Sequence, residues 1–112
     1  MPAEPLREIP GPAGPLEALL DEPEGSPKAA CVFSHPHPLY GGTMHTKAVY
    51  QSAKALARIG IATLRFNFRG VGSSRGTHDG GPGEMADYRA ALDFVSARYA
   101  VPLWAAGFSF GS

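Results

Sequence analysis

Three short apolar runs, Ala29 to Phe33, Ile61 to Phe68 and Leu103 to Phe108, are separated by two stretches of helical period. This alternation constrains the fold more than any other feature. A strand covered on both faces reads as a continuous apolar run, whereas a half-exposed one alternates. The order strand, helix, strand, helix, strand then implies parallel strands joined by right-handed crossovers. Residues 44 to 59 predict the first helix. Val49, Ala53, Leu56 and Gly60 lie on one stripe, and Lys47, Gln51, Lys54 and Arg58 on the opposite one. Thr43 is the expected N-cap and Gly60 the expected stop. A second helix is expected before Pro102, with Met85, Tyr88, Leu92, Val95 and Tyr99 on one face. Residues 1–28 carry two weaker strand candidates, Leu6 to Ile9 and Leu16 to Leu20, joined by Pro10-Gly11-Pro12-Ala13-Gly14-Pro15. They predict a hairpin at a sheet edge, where proline is tolerated. The expected class is α/β: an edge hairpin followed by mostly parallel strands with crossover helices.

Charge and composition remove several function classes. Lys plus Arg and Asp plus Glu are 10 each, so the formal net charge is zero. Nucleic-acid binding through bulk positive charge is therefore not expected. A single cysteine, Cys31, excludes an intrachain disulfide. The longest apolar run without proline or glycine is Ala29 to Phe33, far short of the roughly 20 residues of a membrane span. The start, Met1-Pro2-Ala3-Glu4-Pro5, lacks the basic and apolar regions of a signal peptide, so a cytoplasmic location is expected. From Gly25 to His78 there is no acid, but there are Lys28, Lys47, Lys54, Arg58, Arg65, Arg69 and Arg75. These are either helix-surface charges or a positive field favouring an anionic substrate.

The last apolar run leads into Gly107-Phe108-Ser109-Phe110-Gly111, a G-x-S-x-G pattern. A nucleophilic serine must stand clear of the sheet on a sharp strand-to-helix turn. That turn crowds the residues two before and two after it, so both must be very small. Ser109 is the candidate nucleophile. A serine acting on an acyl carbonyl also needs two N–H donors for the developing oxyanion. One is expected from Phe110, the residue after the nucleophile.

The other is expected from the segment after the first buried strand, Ser34-His35-Pro36-His37-Pro38-Leu39. Proline has no N–H, which leaves His37 or Leu39; His37 lies nearer the strand end and is preferred. His35, His37 and His45 also invite a metal reading, but an H-x-H spacing alone is weak, and no metal is expected. Phe68-Arg69-Gly70-Val71-Gly72-Ser73-Ser74-Arg75-Gly76 contains a G-x-G pattern like a dinucleotide turn. Such a turn opens at once into a helix, whereas this one runs on through Gly80-Gly81-Pro82-Gly83. No cofactor is expected. The glycines are expected to let a loop turn tightly at the C-terminal edge of the sheet.

Taken together, the His35-Pro36-His37-Pro38 loop, Asn67-Phe68-Arg69-Gly70-Val71-Gly72-Ser73-Ser74 and Gly107-Phe108-Ser109-Phe110-Gly111 resemble the α/β-hydrolase superfamily. They are similar to the small bacterial hydrolases related to dienelactone hydrolases and serine peptidases. The resemblance covers essentially the whole chain but only the front of that fold. One departure is His35-Pro36, where the family commonly has His-Gly. The resemblance implies that residues 1–112 are the N-terminal part of one hydrolase domain, incomplete at the C-terminus. Residues 1–28 supply edge strands and turns, and residues 29–112 a β-α-β-α-β unit ending at the elbow. It implies a serine hydrolase of ester or related acyl bonds, with a small-molecule acyl substrate. The triad acid and histidine follow the serine in this family, and only Phe110, Gly111 and Ser112 follow Ser109 here. The 112 residues alone are therefore expected to be inactive. The rival expectation is a non-catalytic fragment that folds by associating with another chain, as a homo-oligomer or with a missing C-terminal part.

Overall fold

The computed structural model describes residues 6–34, 44–77 and 82–107. The strands are β1 (Glu8–Ile9), β2 (Leu16–Asp21), β3 (Ala29–Ser34), β4 (Ile61–Phe66) and β5 (Leu103–Gly107); the helices are α1 (Lys47–Arg58) and α2 (Pro82–Arg98). They form one sheet of order β1-β2-β4-β3-β5. β1 pairs antiparallel with β2, and β2 antiparallel with β4. β4, β3 and β5 are parallel. The expected architecture is the observed one: an edge hairpin, then parallel strands with helical crossovers.

The two helices cover opposite faces, and strand alternation assigns each side chain to one of them. Ala30, Val32, Ala62, Leu64 and Phe66 join Ile9, Leu16 and Ala18 against Ala91 and Val95 of α2. Cys31, Phe33 and Ile61 pack on the other face with Val49 of α1. Both central strands are buried along their whole length, which is why Ala29 to Phe33 reads as an unbroken apolar run, while β4 also buries Thr63 and Arg65. Each large apolar side chain so enclosed contributes about 1.5–3 kcal/mol. β5 is an edge strand among the described residues, and it leaves Trp104 59% exposed. An apolar groove of about 340 Å3 lies beside it, lined by Phe33, Leu56, Ile61 and Trp104 among others.

Two helix expectations need correction. α1 starts at Lys47, not at residue 44, with Thr46 at the N-cap; Thr43 lies outside the described residues. The cause is at Met44, whose carbonyl accepts from Arg65 and whose N–H donates to Asn67. With its backbone held by side chains of β4 and the loop beyond it, Met44 is part of a turn. Gly60 does end the helix region, at φ +92°. Of the expected face of α2, Tyr88, Leu92, Val95 and Tyr99 do pack against the core, but Met85 is 70% exposed. Glu84 and Asp87 are buried in the first turns instead; Asp87, an acid that counts as polar in any periodicity, is paired there with Arg69. Among the described residues no helix is long and apolar enough to cross a membrane.

Candidate active site

Parallel strands release their following segments at one edge, and the register decides which of these are neighbours. Ser34, the last residue of β3, is paired with Gly107, the last residue of β5. The chain therefore leaves β3 after Ser34 next to where it leaves β5 after Gly107. His37, Leu39, Ser109 and Phe110 themselves lie outside the described residues. What the structure describes is the frame from which both segments depart.

One part of that frame holds the return of the first segment. Met44 is 1% exposed. Its N–H donates to Asn67 Oδ1 at 2.8 Å, and its carbonyl accepts from Arg65 Nη1 at 3.1 Å. Asn67 is oriented in turn by Glu17, whose Oε1 accepts from Asn67 Nδ2 at 2.8 Å and from the Ser73 N–H at 2.9 Å. A carboxylate only accepts and a backbone N–H only donates, so Asn67 has one amide orientation that satisfies both. The Ser73 N–H, despite the cost of burial and helped by Asn67, holds the Glu17 carboxyl below its ordinary pKa. Ser74 closes the loop: its hydroxyl donates to the Asn67 carbonyl at 2.7 Å and accepts from the Glu17 N–H at 2.8 Å.

The glycine-rich segment is built around this pair. Gly72 has φ +56°, and a Cβ there would overlap Glu17 Oε1 and Asn67 Nδ2. Gly70 and Gly76 also have positive φ, so the glycines do let the loop turn tightly at the C-terminal edge. Arg69 anchors its start: Nε and Nη2 donate to the two carboxylate oxygens of Asp87 at 3.1 and 2.9 Å, and the Arg69 N–H donates to Oδ2 at 2.9 Å.

A second part of the frame ties the two exits to each other. Tyr88 Oη is 2.7 Å from the Ala106 carbonyl and 3.1 Å from the Val32 carbonyl. Ser34 Oγ is 3.3 Å from the same Ala106 carbonyl. Burial pushes the Tyr88 phenol up, against the hydrogen bonds that favour its ionised form. It stays a neutral donor.

Within the basic stretch from Gly25 to His78, Lys54, Arg65 and Arg69 are paired with acids from outside it. Asp21 takes Lys54 Nζ at 2.7 Å and Arg65 Nε at 2.9 Å, while Asp87 takes Arg69. Burial works against the Asp21 carboxylate, but these two cations outweigh it and lower its pKa. Among the described residues no group of His, Cys, Asp and Glu could hold a metal. Arg65, Glu17 and Tyr88 carry no role in the sequence reading. One signal was present: Thr63, Arg65 and Asn67 alternate through the apolar run of β4. Polar groups at period two on a buried strand share one face and must find partners there.

No family model matches the chain. An uncharacterised protein of Rickettsia prowazekii is 41% identical over 104 residues, 91% of this chain and 44% of that protein. Among solved structures, an α/β serine hydrolase homologue from Coxiella burnetii is 46% identical with a TM-score of 0.88, covering 99% of this chain and 54% of its own. An α/β serine hydrolase without a lid from Xanthomonas campestris is 42% identical with a TM-score of 0.89, covering 99% and 53%. The chain thus spans about half the length of the proteins it matches. The resemblance read from the motifs holds in three dimensions: this sheet is a partial α/β-hydrolase fold.

Proposed function

We propose that these residues are the front half of a serine hydrolase acting on an ester or related acyl bond. The observation that carries the reading is the register of Ser34 with Gly107. It makes the ends of β3 and β5 neighbours, which supports a reading in which the sequences that follow them meet, and the similar solved structures are an α/β serine hydrolase homologue and an α/β serine hydrolase. Ser109 Oγ attacks the acyl carbonyl carbon, and its proton passes to a histidine beyond residue 112, oriented by an acid beyond the same point. The N–H groups of Phe110 and of His37, with Leu39 as the alternative donor, hold the oxyanion. The tetrahedral intermediate expels the alcohol, which takes the proton from the histidine. Water then attacks the acyl-enzyme, the histidine accepts its proton, and the carboxylate product leaves as Ser109 is restored.

The test uses the protein expressed from its complete reading frame, assayed with an activated short-chain ester. Ser109→Ala should abolish turnover. Loss of any triad member leaves only the part due to the oxyanion hole and binding, about 10³–10⁴ over water. Residues 1–112 expressed alone should be inactive, because no histidine follows Ser109. Full activity in Ser109→Ala, or robust Ser109-dependent turnover by residues 1–112, would refute the assignment.

A further inference from the structure

We infer that Tyr88 is a positioning residue for the nucleophile, because its hydroxyl ties the exits of β3 and β5 where both candidate site segments leave the sheet. The inference rests on the serine hydrolase reading and deepens it. Tyr88 is on α2 and donates across to the sheet, 2.7 Å from the Ala106 carbonyl and 3.1 Å from that of Val32. A phenol has one proton. The shorter contact identifies Ala106 as its main acceptor, and the hydroxyl oxygen still sits at the join between the two strands. Ala106 is the residue before Gly107, at which the G-x-S-x-G segment begins. Its carbonyl is approached by a second hydroxyl, that of Ser34, at 3.3 Å. Two hydroxyls from two elements therefore converge on the last carbonyl before the elbow sequence.

Position in the sheet makes this convergence consequential. β5 has a strand partner on one side only, β3, among the described residues. Its direction at the exit therefore depends on that ladder and on whatever reaches it from the helix. The Tyr88 ring cannot drift to follow a moving carbonyl. It packs edge-on against Phe66 at 5.9 Å between centroids and tilted against Phe68 at 6.5 Å. A fixed donor on a fixed ring defines where Ala106 must be. Reaction rates are sensitive to such placement, since a shift of about 1 Å can cost about 10²-fold. Nothing in this role requires Tyr88 to touch the substrate or exchange a proton.

Tyr88→Phe in the protein from the complete reading frame removes the hydroxyl and keeps the ring packing. Active sites are first counted by titration with a fluorophosphonate, and the ester kinetics are then expressed per titrated site. The expected result is a roughly tenfold lower kcat per site with KM unchanged, matched by a slower fluorophosphonate reaction. Tyr99→Phe is the control. That hydroxyl donates to Glu22 at 2.6 Å, away from the strand exits, and its per-site constants should equal wild type. A merely structural Tyr88 would give fewer titrated sites at an unchanged per-site kcat, and that result overturns the proposal. Should Tyr88→Phe fail to fold, Ser34→Ala carries the same measurement, with a roughly threefold fall expected and a wild-type constant overturning it. A wild-type protein that the fluorophosphonate does not label would instead overturn the hydrolase reading itself, which separates the two failures.

Discussion

Asp21→Ala should be among the most damaging single substitutions in the sheet, and its cost can be divided between two arms. Asp21 bridges Lys54 and Arg65, but the two partners stand in different surroundings. The Lys54 side chain is 42% exposed, the Arg65 side chain 4% and the Asp21 side chain 7%. Lys54 released from Asp21 can turn to water, so that arm contributes well under about 1 kcal/mol. Arg65 cannot: its Nη1 is committed to the Met44 carbonyl and its guanidinium lies 5.2 Å over the Tyr50 ring. Removing the carboxylate leaves a buried charge without its counter-ion, which costs about 3–5 kcal/mol. Urea unfolding should then show a midpoint lowered by roughly 1–5 M with an unchanged slope. Lys54→Met should cost under about 1 kcal/mol. The double variant Asp21→Ala with Arg65→Met should recover part of the loss, because the buried charge is gone. The orphaned Met44 carbonyl keeps about 1–3 kcal/mol of it. The pH dependence supplies an independent check. Asp21 has its folded pKa lowered, so its contribution is complete above the ordinary carboxylate range and is lost as pH falls through the folded value. The acid limb of the wild-type stability curve should therefore be steeper than that of Asp21→Ala. A loss below about 1 kcal/mol for Asp21→Ala, or identical acid limbs, would refute this account of the pair.

Gly72→Ala should cost more than Gly25→Ala in thermal unfolding. Both have positive φ, a penalty of about 1–2 kcal/mol, but only at Gly72 would the new Cβ overlap Glu17 and Asn67; equal costs would mean the pair shifts freely. Cys31 is buried and its thiol is pushed up to about 11 by that burial. It should resist iodoacetamide at pH 8 in the folded protein and react once urea unfolds it; rapid reaction without denaturant would contradict the packing. Asp87→Ala should destabilise by about 3–5 kcal/mol by removing the buried carboxylate of the pair, and denaturant midpoints for Asp87→Ala, Arg69→Ala and the double variant should show strong non-additivity.

Periodicity alone was enough to determine the elements and the fold class of this chain. The run at Ala29 is unbroken and that at Ile61 largely apolar because helices cover both faces of those strands, and that is a local property any window of sequence carries. The prolines of residues 10–15 likewise announced an edge hairpin, since a central strand cannot spare the N–H groups that proline lacks. Ser109 is proposed as nucleophile from its G-x-S-x-G pattern alone, and it lies outside the described residues. Other matters depended on contacts distant in sequence, and only the tertiary structure decided them. Asp87 is 18 residues from Arg69, and that pairing buries an acid that the periodicity of α2 leaves on the polar side. Met44 is clamped by Arg65 and Asn67 from across the sheet, which delayed the start of α1 beyond its apolar period. Asp21 and Arg65, 44 residues apart, form a buried pair whose cation belongs to the positive stretch that composition had suggested. The exits of β3 and β5 became neighbours only through the strand order, which places the fifth strand next to the third. A charge in a sequence carries no sign of which opposite charge will neutralise it. Burial strengthens that attraction, and burial exists only once the chain has folded.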